Sequence, residues 1–152
     1  MASEEQLTFN KPHSPAENAL EAFSAVAHTI KHEILKSRHD WNKHEPRMWS
    51  RAAHLSDHEL THFDLKQDLV LVSSALSTYG TIILGKIRIP AINDDQGEGF
   101  IHVRIHDPPN KGTEDVMFHS IFTDEGNRDR DGHPKTWQAV QTIDTPLVFF
   151  NE

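Results

Sequence analysis

Residues 100–106, FIHVRIH, and residues 116–125, VMFHSIFTDE, decide how this chain reads. A β-strand points successive side chains to opposite faces. In the first stretch Ile101, Val103 and Ile105 therefore share one face, and Phe100, His102, Arg104 and His106 share the other. In the second, Met117, His119, Ile121, Thr123 and Glu125 alternate with Val116, Phe118, Ser120, Phe122 and Asp124. If the two aliphatic faces register together, His102, Arg104, His106, His119, Thr123 and Glu125 gather on the opposite side. A solvated sheet face explains such residues, because antiparallel sheets commonly have one. That face also carries Phe100, Met117 and Ile121, and apolar walls with a few convergent polar groups describe a pocket equally well. Both readings stand at this point.

On the N-terminal side, LVLVSSAL and GTIILGKIRIPA are rich in β-branched residues and are separated by Tyr79-Gly80. Residues 67–77 also carry helical spacing at Leu69, Val72 and Leu76, but strand is the favoured reading. Pro90 and the polar run AINDDQGEG predict a turn before FIHVRIH. TWQAVQTID and PLVFF supply further candidate strands beyond it. PLVFF lies uncharged between Asp144 and Glu152 and would aggregate if exposed, so it belongs in a core strand or a dimer interface.

The first third is helical. Ser14 as N-cap, Pro15 as first helical residue and Glu17 as capping-box partner predict a helix start. Leu20, Phe23, Ala27, Ile30 and Ile34 carry its apolar face to about Ser37, with Asp40 and Trp41 near its end. Residues 47–63 form a second, broken helical region in which Ser56 and Glu59 make another capping box. Residues 1–13 read as a flexible lead and 14–152 as one domain. The fold class is α+β, with N-terminal helices packed on a curved, mainly antiparallel sheet of four to six strands.

Composition narrows the function. The chain has 152 residues, 12 histidines, no cysteine and a formal charge of -8. Without cysteine, thiolate metal sites and disulfides are excluded. The 15 basic residues form no cluster, which argues against nucleic acid as a partner. The acidic N-terminus has no apolar signal region, and no apolar run reaches membrane-spanning length. The expectation is a soluble cytoplasmic protein with no membrane partner.

Three metal-like patterns occur. His58-Glu59-Leu60-Thr61-His62 satisfies H-E-x-x-H, in which two imidazoles one helical turn apart bind zinc and the glutamate activates its water. Here Glu59 already partners Ser56, His58 falls in the first turn, and no third ligand is evident, so a helix start is the better reading. His28, His32 and His39 lie on a polar stripe of the first helix, opposite its apolar face. Asn127–Gly132 echoes a calcium loop, but Gln138 replaces its bidentate glutamate, and a hairpin turn at Asp131-Gly132 accounts for it.

If the polar sheet face is a pocket, its chemistry is proton transfer. Imidazole works near neutrality as base or acid, and Arg104 can hold a developing anion. His102 and His119 are the acid–base candidates, Arg104 the clamp, and Asp40 or Glu125 an orienting carboxylate. Phe100, Met117, Ile121 and Trp41 are candidate walls. A long N-terminal helix followed by FIHVRIH, VMFHSIFTDE, RDRDGHP and TWQAVQTID resembles the nuclear-transport-factor-two-like cone fold, which includes SnoaL-type cyclases, ketosteroid isomerases and scytalone dehydratase. The resemblance is architectural and spans about residues 14–150. It implies a cofactor-free isomerase, cyclase or dehydratase acting on a small polyketide-like or terpenoid-like molecule, often as a homodimer. The rivals are a non-enzymatic ligand-binding or dimerising domain, and a zinc protein built on His58 and His62.

Overall fold

The computed structural model describes residues 8–77, 79–108, 116–124 and 137–150. Helices come first: α1 (Glu17–Ala25), α2 (Ala27–His44), a 3-10 helix (Pro46–Ala52), α3 (Asp57–Leu60) and α4 (Leu65–Asp68). Four strands follow, β1 (Leu69–Ser77), β2 (Gly80–Asp94), β3 (Gly97–Asp107) and β4 (Met117–Ile121). They form one antiparallel sheet in the order β1-β2-β3-β4. The architecture is α+β, with its strand number inside the expected range.

The helical region differs from the expectation in two places. The first helix begins at Glu17, with Ala16 rather than Ser14 at the cap and no side-chain cap bond. His13 explains this: its N–H and carbonyl both bond Val72 on the outer edge of β1, at 3.0 and 2.8 Å. Those two bonds hold His13 on the strand edge, and the Ser14 carbonyl, which would accept the first helical bond, accepts instead from His13 Nδ1–H at 2.8 Å. Asn10 adds a bond from its N–H to the Ser74 carbonyl at 3.0 Å, so this part of the lead runs along the strand. The second difference is a break at Val26, which divides the long helix into α1 and α2. Nothing in the local sequence accounts for that break. α2 runs on to His44 and stops because Glu45 precedes Pro46, a position that disfavours helical backbone.

The capping box at Ser56 forms as read, with Ser56 N–H donating to Glu59 Oε1 at 2.9 Å and Glu59 N–H to Ser56 Oγ at 3.1 Å. Residues 69–77 are strand. The turn expected over Pro90 and residues 91–99 forms at Asp95-Gln96, with β2 running through Pro90 to Asp94. Pro90 is tolerated because the β2–β3 register slips between Ile89 and Asn93, where no ladder bond is required of it. Residues 137–144 and PLVFF are not strands. The first touches the sheet through isolated bridges, Asp124 to Gln138 and Phe100 to Gln141, and the second packs on the sheet without a ladder. Asn127–Gly132 and Glu125 lie outside the described residues.

The sheet has two buried faces. Ile83, Ile87, Ile101, Val103 and Ile105 meet Phe23, Ile30, Ile34 and Trp49 from the helices. The Phe23 ring lies directly on Gly85, where an added Cβ would run into it. Two buried arginines fasten the layers. Arg38 donates to the carbonyls of Ala52 and Leu55 at 3.0 and 2.8 Å, closing the end of the 3-10 helix. Arg51 forks onto Asp94 at 2.9 and 2.7 Å and reaches the Gly97 carbonyl at 2.6 Å, pinning the β2–β3 turn. The opposite, outer face is covered by Phe9 and by the C-terminal tail, residues 143–150, whose Leu147 and Phe150 pack on Leu84, Leu71 and Phe122. No helix among the described residues is long and apolar enough to cross a membrane.

Candidate functional site

The site grows out of the outer face of β2 and β3. Cross-strand pairing sets Lys86 opposite His102, Leu84 opposite Arg104, and Ile82 opposite His106. Antiparallel partners share a face, so β2 adds a lysine to the histidine–arginine row of β3. The middle of that row is closed by the tail. Lys86 is only 1% exposed, and its ammonium donates to the carbonyls of Ile143 and Thr145, both at 2.7 Å, while lying 5.4 Å from the Phe100 ring. Burial pulls its pKa down, with the charge of Asp144 opposing. Arg104 donates Nη1–H to the Phe150 carbonyl and stacks its guanidinium near the rings of Phe149 and Phe150, at 5.5 and 5.8 Å.

His102 is equally buried, at 1% exposure, and its Nε2 has no hydrogen-bond partner among the described residues. Burial, and then the neighbouring Lys86 charge, pushes its pKa down to about 3. It is a neutral imidazole sealed under the tail beside Phe122, with ring centroids 6.1 Å apart. Phe100 is buried in the same closed region.

The face opens at its far end. A cavity of about 240 Å³ is lined there by Arg104, His106 and His119, with Tyr79, Ile82 and Phe149 among its walls and Ser77 at its side. The rings of His106 and His119 stack at 5.5 Å and 10°. His106 donates Nε2–H to the Tyr79 carbonyl at 2.8 Å, which leaves Nδ1 as its acceptor in the neutral ring. His119 is pushed below the ordinary imidazole value by burial of its ring, then by the charges of Arg104 and His106. His119 can therefore stay neutral and accept a proton beside a permanent cation.

His119 lines this cavity from a bulge in β4. Arg104 pairs with Ser120 and Ile105 with Phe118, so His119 is the extra residue between them. The same bulge corrects one sequence expectation. Ile121, expected on the histidine face, pairs with Val103 and lies in the core on the helix side. Met117 stays opposite His106 but is 55% exposed, outside the cavity lining.

Asp40 and Trp41 sit at the C-terminal part of α2 and line a different, more open groove with Phe118, His119 and Ser120. Trp41 packs there against Trp137, with centroids 5.7 Å apart. His119 thus borders both spaces from the sheet, whereas Asp40 shares none of the lining with Arg104. Strand periodicity pointed to His106 only as one of a row, and missed Tyr79 and Phe149 because they come from a turn and a tail. Lys86 did leave a signal, a charge set with Arg88 inside an otherwise apolar strand run.

His58 and His62 have ring centroids 5.2 Å apart on the one-turn helix α3 and its exit, both exposed, with Glu59 held by Ser56. Among the described residues, no three histidine or carboxylate side chains are grouped so as to hold a metal ion. His28, His32 and His39 are exposed on α2.

Comparison with family models, with curated proteins and with solved structures finds no match. The chemistry of the cavity rests on its own side chains. A guanidinium, two stackable imidazoles and apolar walls suit a small molecule that carries, or develops, negative charge on oxygen.

Proposed function

We propose that the cavity beside His106 and His119 is the site of cofactor-free proton transfer on a small carbonyl-bearing molecule. The isomerase, cyclase or dehydratase reading is kept, with its centre moved along the sheet. The observation that carries it is the stacked imidazole pair lining a cavity together with Arg104. His119 takes a proton from carbon next to the carbonyl, because its lowered pKa keeps it unprotonated at neutral pH. Arg104 holds the resulting enolate oxygen by charge-assisted hydrogen bonds. His106, fixed by the Tyr79 carbonyl, supports the His119 ring from its face. The apolar walls Ile82 and Phe149 suit the body of a ketide-like or terpenoid-like substrate. On this reading the cone-fold resemblance supplies the reaction class, and the cavity supplies the residues.

The test is proton exchange. Cyclic enones, β-keto acids and 1,3-diketones are incubated with the protein in D₂O, and loss of the α-proton signal is followed by NMR. The expected result is at least one compound exchanged faster by the native protein than by His119→Gln. If no compound distinguishes them while one binds the cavity, the non-enzymatic ligand-binding reading replaces this one.

A further inference from the structure

The C-terminal tail is fastened to the outer face in an unusual way. It makes no strand ladder with the sheet. It hangs instead from cationic side chains, with Lys86 on the carbonyls of Ile143 and Thr145 and Arg104 on that of Phe150. Leu147 and Phe150 plug the apolar ground between these cations, against Leu84 and Phe122. Its first residues form a short turn, in which Thr145 N–H donates to the Thr142 carbonyl at 3.2 Å. The tail is therefore held at two places, at this turn by Lys86 and at its far end by Arg104.

A buried ammonium is costly to desolvate, and the two carbonyls that accept from Lys86 are neutral, while the Asp144 charge acts on it only through space. A methionine at position 86 would fill the same space without that cost. Retaining lysine makes sense if the carbonyls occupy the place of a better acceptor. The open cavity points the same way, since Arg104 and Phe149 belong both to its lining and to the tail's attachment. Phe149 and Phe150 are thus the partition between the cavity and the cations beneath the tail.

We propose that residues 143–150 are an intramolecular occupant of a binding site for an amphipathic carboxylate, whose carboxylate takes Lys86 and whose apolar body replaces Leu147 and Phe150 when the tail lifts. The site requires binding alone and does not depend on proton transfer at His119. Affinity in the closed protein is reduced by the fraction of molecules whose tail is lifted, so weakening the tail strengthens binding.

The test uses the full chain with decanoate, decanol and acetate as probes, read by calorimetry and by hydrogen exchange of the tail amides. Decanoate is expected to bind saturably, about tenfold or more tighter than decanol or acetate, and to speed exchange across 143–150. Phe150→Ala is expected to bind decanoate about tenfold tighter than the native chain, although it removes apolar contact. Lys86→Met is expected to lose the preference for decanoate over decanol. Equal binding of decanol and decanoate, no gain in Phe150→Ala, or slower tail exchange with decanoate each overturns the proposal. If either variant fails to fold, the exchange measurement on the native chain decides by itself.

Discussion

Replacing His102 by leucine should remove most of the sensitivity of this fold to mild acid. His102 is a base whose folded-state pKa lies at about 3, against 6.5 for an ordinary imidazole. Above 6.5 both folded and unfolded chains hold it neutral, and it contributes no pH dependence. As pH falls through 6.5 the unfolded chain takes up a proton that the folded chain refuses. Stability is therefore lost progressively down to about pH 3 and then levels off. Each pKa unit corresponds to about 1.4 kcal/mol, so the loss is about 2 kcal/mol between pH 7 and pH 5 and about 4 kcal/mol by pH 3. The cause is local: protonation would add a buried cation directly across from Lys86, with Arg104 further along the same strand. Urea unfolding of native protein and His102→Leu at pH 7, 6 and 5 measures it. The native protein should lose about 2 kcal/mol more than the variant over that range. If both lose the same amount, His102 is not held neutral and the closed face described above is wrong.

Gly85 and Phe23 should be energetically coupled. Gly85→Ala should cost about 1–3 kcal/mol by overpacking, and Phe23→Ala about 3–5 kcal/mol. Together they should cost less than the sum, since the ring that blocks the new methyl is gone; strict additivity in chemical denaturation would refute the contact. Ser56→Ala should lower stability by about 1 kcal/mol through loss of the α3 cap, and an unchanged denaturation midpoint would refute the capping role. For any substrate found by proton exchange, the acid limb of the rate should lie below the ordinary imidazole value, because the lowered pKa keeps His119 in its basic form further into acid. Arg104→Met should move that limb to higher pH, and a limb that stays put would remove Arg104 from the neighbourhood of the base.

Much of the fold follows from local pattern. The alternation in FIHVRIH correctly separates the core side of β3 from its histidine side, and the Ser56–Glu59 box marks α3. These signals lie within a few residues, where strand pleat and cap geometry act. What escaped depends on partners distant in sequence. The helix start moved because His13 bonds Val72, about sixty residues away. The bulge at His119 depends on the register of β4 against β3, which one strand's sequence does not specify. That single extra residue sends Ile121 to the core, while His119 stays on the side its alternation with Met117 had given it. The tail's cover over Lys86 and His102 was invisible for the same reason, although the apolarity of PLVFF demanded burial somewhere. The candidate residues of β3 were thus legible, while the distinction between its sealed centre and its open end was not.

The most direct test of the account compares α-proton exchange in D₂O by native protein, His119→Gln and the double variant His58→Gln/His62→Gln, on a substrate selected by the native protein. The cavity account predicts that His119→Gln loses at least about a hundredfold in rate, the usual worth of a positioned base, while the double variant exchanges at the native rate. Native exchange by His119→Gln, with loss in the double variant, would place the chemistry at the α3 histidines and contradict it.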